Sequence, residues 1–171
     1  MINNIPVKKE DIITMLEYGI ERSRAGYGGP FSAMVYETKT GKVLAIDSNS
    51  VLADNDPTAH GEINAIRRAC KMIKKPHLDG YSLLTSSEPC PTCMSVIIGW
   101  SQLDSWSYIV GSEVAAEVGF NDIEYYKKMQ LIMRMKKVKS EYEKFYKYSD
   151  IEIENKIVSV FKEYKEKGVL Y

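Results

Sequence analysis

His60-Gly61-Glu62, followed later by Pro89-Cys90-Pro91-Thr92-Cys93, constrains this chain more than any other feature. One imidazole and two thiolates can supply three zinc ligands, so the fold has to bring these two segments together. Three protein ligands leave a fourth tetrahedral position open, the arrangement of catalytic rather than structural zinc. Glu62, two residues from the histidine, suits proton transfer beside such a centre. Pro89 and Pro91 stiffen the loop that presents the cysteines. The competing reading is a zinc knot in which Cys70 or His77 completes the shell. A chain of 171 residues builds a full hydrophobic core without a metal staple, which argues against the knot.

The third cysteine, Cys70, shares a helical pattern with Ile66 and Ile73 and reads as a small buried hydrophobe. Three cysteines, two of them in a Cys-x-x-Cys, suit metal binding rather than a disulfide framework. Lys plus Arg and Asp plus Glu each total 23, a net charge of +0, so the chain lacks the positive field of a dedicated nucleic-acid binder. No apolar run approaches the ~20 residues of a membrane span, and Met1 to Glu10 holds no signal-peptide core. The expected location is cytoplasmic, where thiols stay reduced.

Apolar residues at Ile12, Ile13, Leu16 and Ile20 predict a helix over Glu10 to Ala25, ended by Gly26 to Pro30. Phe31 to Glu37 and Val43 to Ser48 read as a hairpin around Thr40-Gly41, and Asn49 to Pro57 as a polar loop. Thr58 is the expected N-cap of a helix reaching Ile73. A strand over Tyr81 to Thr85, a helix over Thr92 to Trp100 and a strand over Trp106 to Val110 follow. This order implies a mixed sheet with helices on both faces. Beyond Asp122 no strand pattern is evident; Met129, Ile132 and Met133, then Ile153, Ile157, Val160 and Phe161, predict helices. The expected division is a core over 1–126 and a helical extension over 127–171, packed on the core or on a partner subunit.

Both ligand segments open helices, so two helix N-termini are expected to face one pocket. Partial positive charge there favours the thiolate forms of Cys90 and Cys93. His60 would bind through a neutral ring nitrogen, and zinc lowers the pKa of water toward neutrality. Glu62, beside a cation, is expected to be ionised at rest and ready to accept a proton.

Gly29-Pro30-Phe31, Asn49, Asp56 to Glu62 and Ser87 to Met94 resemble the cytidine deaminase superfamily, whose signature includes His-x-Glu and Pro-Cys-x-x-Cys. Glu117 to Asp122, followed by Tyr125-Tyr126-Lys127, is similar to its guanine deaminase branch, although Asn121 replaces an aspartate of that pattern. The resemblance, over roughly Ile12 to Tyr126, implies a three-layer α/β/α sandwich with a five-stranded mixed sheet and one Zn2+ per subunit. It implies a homodimer, with possible exchange of C-terminal segments. It also implies zinc ligation by His60, Cys90 and Cys93, catalysis by Glu62 and Asp122, and substrate contacts from Phe31, Asn49, Ala59, Trp100 and Tyr171. The implied activity is deamination of a free purine base, with guanine giving xanthine and ammonia.

Each residue also has an ordinary reading: Asn49 as a turn residue, Phe31 as core, and Tyr171 as a frayed end. The alternative of a tRNA adenosine deaminase would draw on the basic run Lys127 to Lys139, but a solvated helix face around Leu131, Ile132 and Met135 is the favoured reading of that run. Cytosine, guanosine or an aminated triazine would undergo the same chemistry, because pocket walls set the preference. A non-catalytic module with a relic zinc site is the remaining alternative.

Overall fold

The computed structural model describes residues 5–117, 119–120, 145–147 and 149–167. Asp122, Tyr171, Tyr125 and Tyr126, and the basic run Lys127 to Lys139 lie outside the described residues. The elements are α1 (Lys9–Arg24), β1 (Ser32–Glu37), β2 (Val43–Ser48), α2 (Val51–Asp54), α3 (Gly61–Ile73) and β3 (Tyr81–Ser87). Then come α4 (Pro91–Gly99), β4 (Ser105–Val110), α5 (Ser112–Glu117), β5 (Phe145–Lys147) and α6 (Ile151–Lys167).

Four longer strands form a mixed sheet in the order β2-β1-β3-β4, and three-residue β5 pairs with the outer edge of β4. β1 runs antiparallel to β2 and β3, whereas β4 is parallel to β3 and to β5. Alternation along β1 divides the core. Met34 and Tyr36 face one side with Ile12, Leu16, Leu84, Ile109, Ile153 and Phe161; Ala33 and Val35 face the other with Ile63, Ile66, Leu83, Cys93 and Ile97. Helices α1 and α6 therefore cover one face, and α3 and α4 the other. β1 is buried on both faces, as a strand between two helical layers must be.

Three sequence expectations change. Asn49 to Pro57 holds one helical turn, α2, whose Asn55 closes it in a left-handed conformation. Thr58 does not cap α3. Its N–H and hydroxyl both bond Asp56 Oδ1, at 2.8 and 2.7 Å, and His60 takes the N-cap position instead. Strand structure also continues beyond Asp122, since β5 pairs with β4 from Trp106–Phe145 to Tyr108–Lys147. Three residues carry no readable alternation; the neighbouring strand edge supplies their partners.

α6 buries Ile153, Ile157, Phe161 and Tyr164. Exposed ion pairs join it to α1: Lys156 to Glu17 at 2.9 Å and Arg24 to Glu163 at 2.7 Å. Such pairs contribute little each, so burial of the apolar face is what seats the helix. Among the described residues, no helix is long and apolar enough to cross a membrane.

Candidate active site

His60 and Cys90 occupy the N-cap positions of α3 and α4, both with extended backbone, and neither side chain caps its own helix. Both point at a common centre. Pro91 starts α4 where its missing N–H costs nothing, and Cys93 follows within the first turn. Cys90 and Cys93 lie 3.5 and 3.4 Å from His60 Nδ1, and their sulfurs are 3.6 Å apart. A tetrahedral zinc, with Zn–S about 2.3 Å and Zn–N about 2.0–2.1 Å, requires S···S near 3.8 Å and S···N near 3.6 Å. The observed separations lie within about 0.2 Å of those values. The three side chains fit zinc, with Nδ1 as the histidine ligand.

The charges fit as well. A hydrogen bond with Cys93 holds the Cys90 thiol down to about 4, against the opposing effect of burial, and His60 adds to the lowering. The same bond pushes Cys93 up, with burial and nearby Glu62 acting in the same direction. Without a cation, Cys93 and Glu62 thus hold protons that a metal would displace, while Cys90 is already a thiolate. Glu62 is 8% exposed, and burial, followed by the Cys90 charge, pushes its carboxyl up to about 7. A dication between these groups favours the ionised carboxylate.

Gly61 sets the height of α3 against the sheet. A Cβ there would meet the Phe31 carbonyl oxygen at 3.0 Å and Ser32 Cα at 3.2 Å, so the helix start lies directly on the β1 backbone.

Above the ligands lies a cavity of about 270 Å3, with His60, Glu62 and Cys90 in its lining. Phe31 and Asn49 line it too. Asn49 is 2% exposed, and its Oδ1 accepts the Val51 N–H at 3.1 Å. That bond fixes the amide's orientation and leaves Nδ2 as the end for a ligand, so Asn49 offers donors rather than both halves of an amide. Asn64, on α3, braces this loop through Nδ2, which donates to Ser48 O, Ser50 Oγ and Ala59 O at 3.0, 2.9 and 3.2 Å.

Phe31 is both wall and core. Its ring meets Phe120 edge-on, with centroids 4.8 Å apart and planes at 82°, and Phe161 at 5.1 Å. Two expected contacts are placed elsewhere. Ala59 is buried, does not line the cavity, and commits its N–H to Asp56 O at 3.1 Å. Trp100 ends α4 away from the cysteines, is 78% exposed and is absent from the lining. Ser87, Glu88, Ser112, Ala115 and Phe120 complete much of the wall; sequence reasoning quoted Ser87, Glu88 and Phe120 in the resembling segments but gave none of the five a role. Ser87 Oγ is buried there without a hydrogen-bond partner among the described residues.

Residues 7–109, which include both ligand segments, match the model of the cytidine and deoxycytidylate deaminase zinc-binding region. The chain belongs to this deaminase family. Its His/Cys/Cys site is the zinc site typical of that family. Guanine deaminase of Bacillus subtilis (strain 168) is 43% identical over 109 residues, covering 64% of this chain and 68% of that protein. The X-ray structure of guanine deaminase from Bacillus subtilis superposes with a TM-score of 0.65 at 32% identity, covering 96% of this chain and 98% of that one. A tRNA-specific adenosine deaminase of Aquifex aeolicus (strain VF5) is 33% identical over 78 residues, 46% of this chain and 52% of that protein.

Proposed function

We propose that this family member hydrolyses the amino group from a free purine base, guanine first, giving xanthine and ammonia. The observation that carries the reading is the cavity itself. It joins a three-ligand zinc site and Glu62 to an aromatic edge and a fixed amide donor, in about 270 Å3. That volume sits just below the ~300 Å3 at which drug-sized ligand sites begin, which suits a single flat heterocycle. No Lys or Arg lines it among the described residues, so nothing there receives a phosphate. Similarity to the Bacillus enzyme points the same way.

His60, Cys90 and Cys93 would hold zinc, which would lower the pKa of a water toward neutrality. Glu62 would accept a proton from the attacking water and pass it to a ring nitrogen; it would then take the proton of the added hydroxyl as the carbonyl forms and deliver it to the departing amine. Water adds at the amino-bearing carbon, the carbon–nitrogen bond breaks, and ammonia leaves. Phe31 bounds the ring plane, and Asn49 Nδ2 donates to an acceptor on the base. Asp122 is proposed as a second proton carrier and Tyr171 as a closing residue, both on resemblance. The same reading takes the protein as a cytoplasmic homodimer.

The test is ammonia release by zinc-loaded protein from guanine, guanosine, adenine, cytosine and a minimal tRNA stem. Guanine should react fastest. Turnover of the stem alone would move the substrate to RNA, and silence on every compound would remove the activity.

A further inference from the structure

Glu88 is a second carboxylate in the cavity wall, and the chemistry above does not use it. It sits between the last residue of β3 and the ligand loop, and it is clamped at both ends. Its backbone N–H donates to Val110 O at 2.8 Å, and its Oε2 accepts the Ser112 N–H at 3.0 Å. The first bond ties it to the end of β4 and the second to the start of α5. One carboxylate oxygen is therefore committed to the protein and held in place. The other has no hydrogen-bond or ion-pair partner among the described residues.

We infer that Glu88 is a specificity-determining residue, whose second carboxylate oxygen accepts a ring or exocyclic N–H of the bound base. The inference rests on the reading of the cavity as a base site. The lining divides its roles: Asn49 presents donors, Glu88 an acceptor, and Glu62 is reserved for proton transfer. A heterocycle with one acceptor edge and several N–H groups satisfies both, as guanine does. A bond from N–H to a carboxylate is charge-assisted and stronger than a neutral one. A ligand lacking that N–H leaves the carboxylate desolvated and unpaired, which is how a polar wall rejects near relatives. The Ser112 bond supplies the rigidity this role requires, since a freely rotating carboxylate would turn to solvent instead.

Glu88→Gln is the informative substitution. Its amide oxygen can keep the Ser112 bond, and its NH2 then faces the base donor to donor. Wild type and variant are compared on guanine and on guanines methylated singly at N1, N7 or N9, with zinc content and melting temperature recorded. KM for guanine is expected to rise at least about tenfold, with kcat within about threefold and zinc content unchanged. The penalty for at least one methylated base should be about tenfold or more in wild type and should shrink below about threefold in the variant. Unchanged KM, or a raised KM with every methylation penalty intact, would overturn the role. If Glu88→Gln does not hold zinc, Glu88→Asp carries the same comparison, because it keeps the charge and withdraws it by one methylene. If wild type ignores guanine but turns over another base, the same pair is run on that base and its methylated forms. The substrate assignment then fails on its own, and Glu88 is judged separately.

Discussion

Phe120 stacks on Tyr164, with centroids 5.6 Å apart and planes at 24°, so α6 reaches the cavity wall through an aromatic contact. Phe161, one turn earlier on that helix, touches Phe31 on the same wall. The helix that covers the sheet therefore also backs the two phenyl rings at the site. Phe161 is fully buried, and Phe161→Ala should cost ~3–5 kcal/mol in urea unfolding of the zinc-loaded protein. The same variant should raise KM for the base. A loss below about 1 kcal/mol would show that α6 is not seated on this core.

Cys93 is the ligand with least room for substitution, being fully buried against α3 and the sheet. Cys93→Ser should reduce bound zinc far below about one per chain, measured by elemental analysis after desalting, because a buried hydroxyl does not replace a thiolate. Ser87→Ala, a neighbour without a ligand role, should leave zinc content unchanged.

Glu62→Gln separates metal binding from proton transfer. Zinc content should stay at the wild-type level while kcat falls by ~10²–10⁴ or more. The residual rate should lose the pH dependence that Glu62 imposes. Wild-type turnover in this variant would assign proton transfer to another group.

Buried Glu62 also gives the metal-free protein an unusual response to pH. Its folded pKa, about 7, lies above its ordinary value of 4.5, so between those limits the folded chain holds the proton more tightly than the unfolded chain. Its stabilising effect is therefore complete below about pH 4.5 and is lost as pH rises through 7. Cys90, held down to about 4, acts in the opposite sense, so the Glu62 share is read as a difference: from pH 5 to pH 8 the melt of chelated wild type should fall relative to that of chelated Glu62→Gln. Zinc affinity should run the other way, rising up to about tenfold per pH unit for each proton the metal displaces. Isothermal titration in two buffers of different ionisation enthalpy would count those protons.

Gly61→Ala tests the seating of α3 on β1. Backbone surrounds the new methyl, so neither side yields cheaply and the helix start has to shift. We expect a larger loss of kcat/KM than of stability, because His60 and Glu62 flank the substitution. Equal and small losses in both would mean the contact is slack.

The ligands were legible because a metal demands particular side chains at fixed spacing, and His60, Cys90 and Cys93 state that demand in one dimension. The layer order was legible too: the strand read over Phe31 to Glu37 and the helical spacing in α3 are both present in the structure. What escaped depends on distant contacts. Glu88 meets Ser112, and Phe31 meets Phe120 and Phe161, across separations that no local pattern encodes. Thr58 was misplaced as a cap because Asp56, two residues earlier, competes for the same hydroxyl. Trp100 was given a substrate contact by resemblance, while helix geometry carries it to the far end of α4. Zinc could be inferred from residue types alone, but its bonding nitrogen could not; Nδ1 emerges only once α3 and α4 are set side by side.

Both metal-binding helices meet the site at their first residues and run away from it. The exposed positions at the far ends of these helices are therefore remote from the chemistry, whereas Ile66, Ala69 and Ile97 on the buried faces are not open to change. Exchanges at the exposed positions of those far ends should leave the spacing of His60, Cys90 and Cys93 unaltered. Those tips carry Met72, Ile98 and Trp100 in the open, and selection can rework them for other ends while the reaction stays as it was.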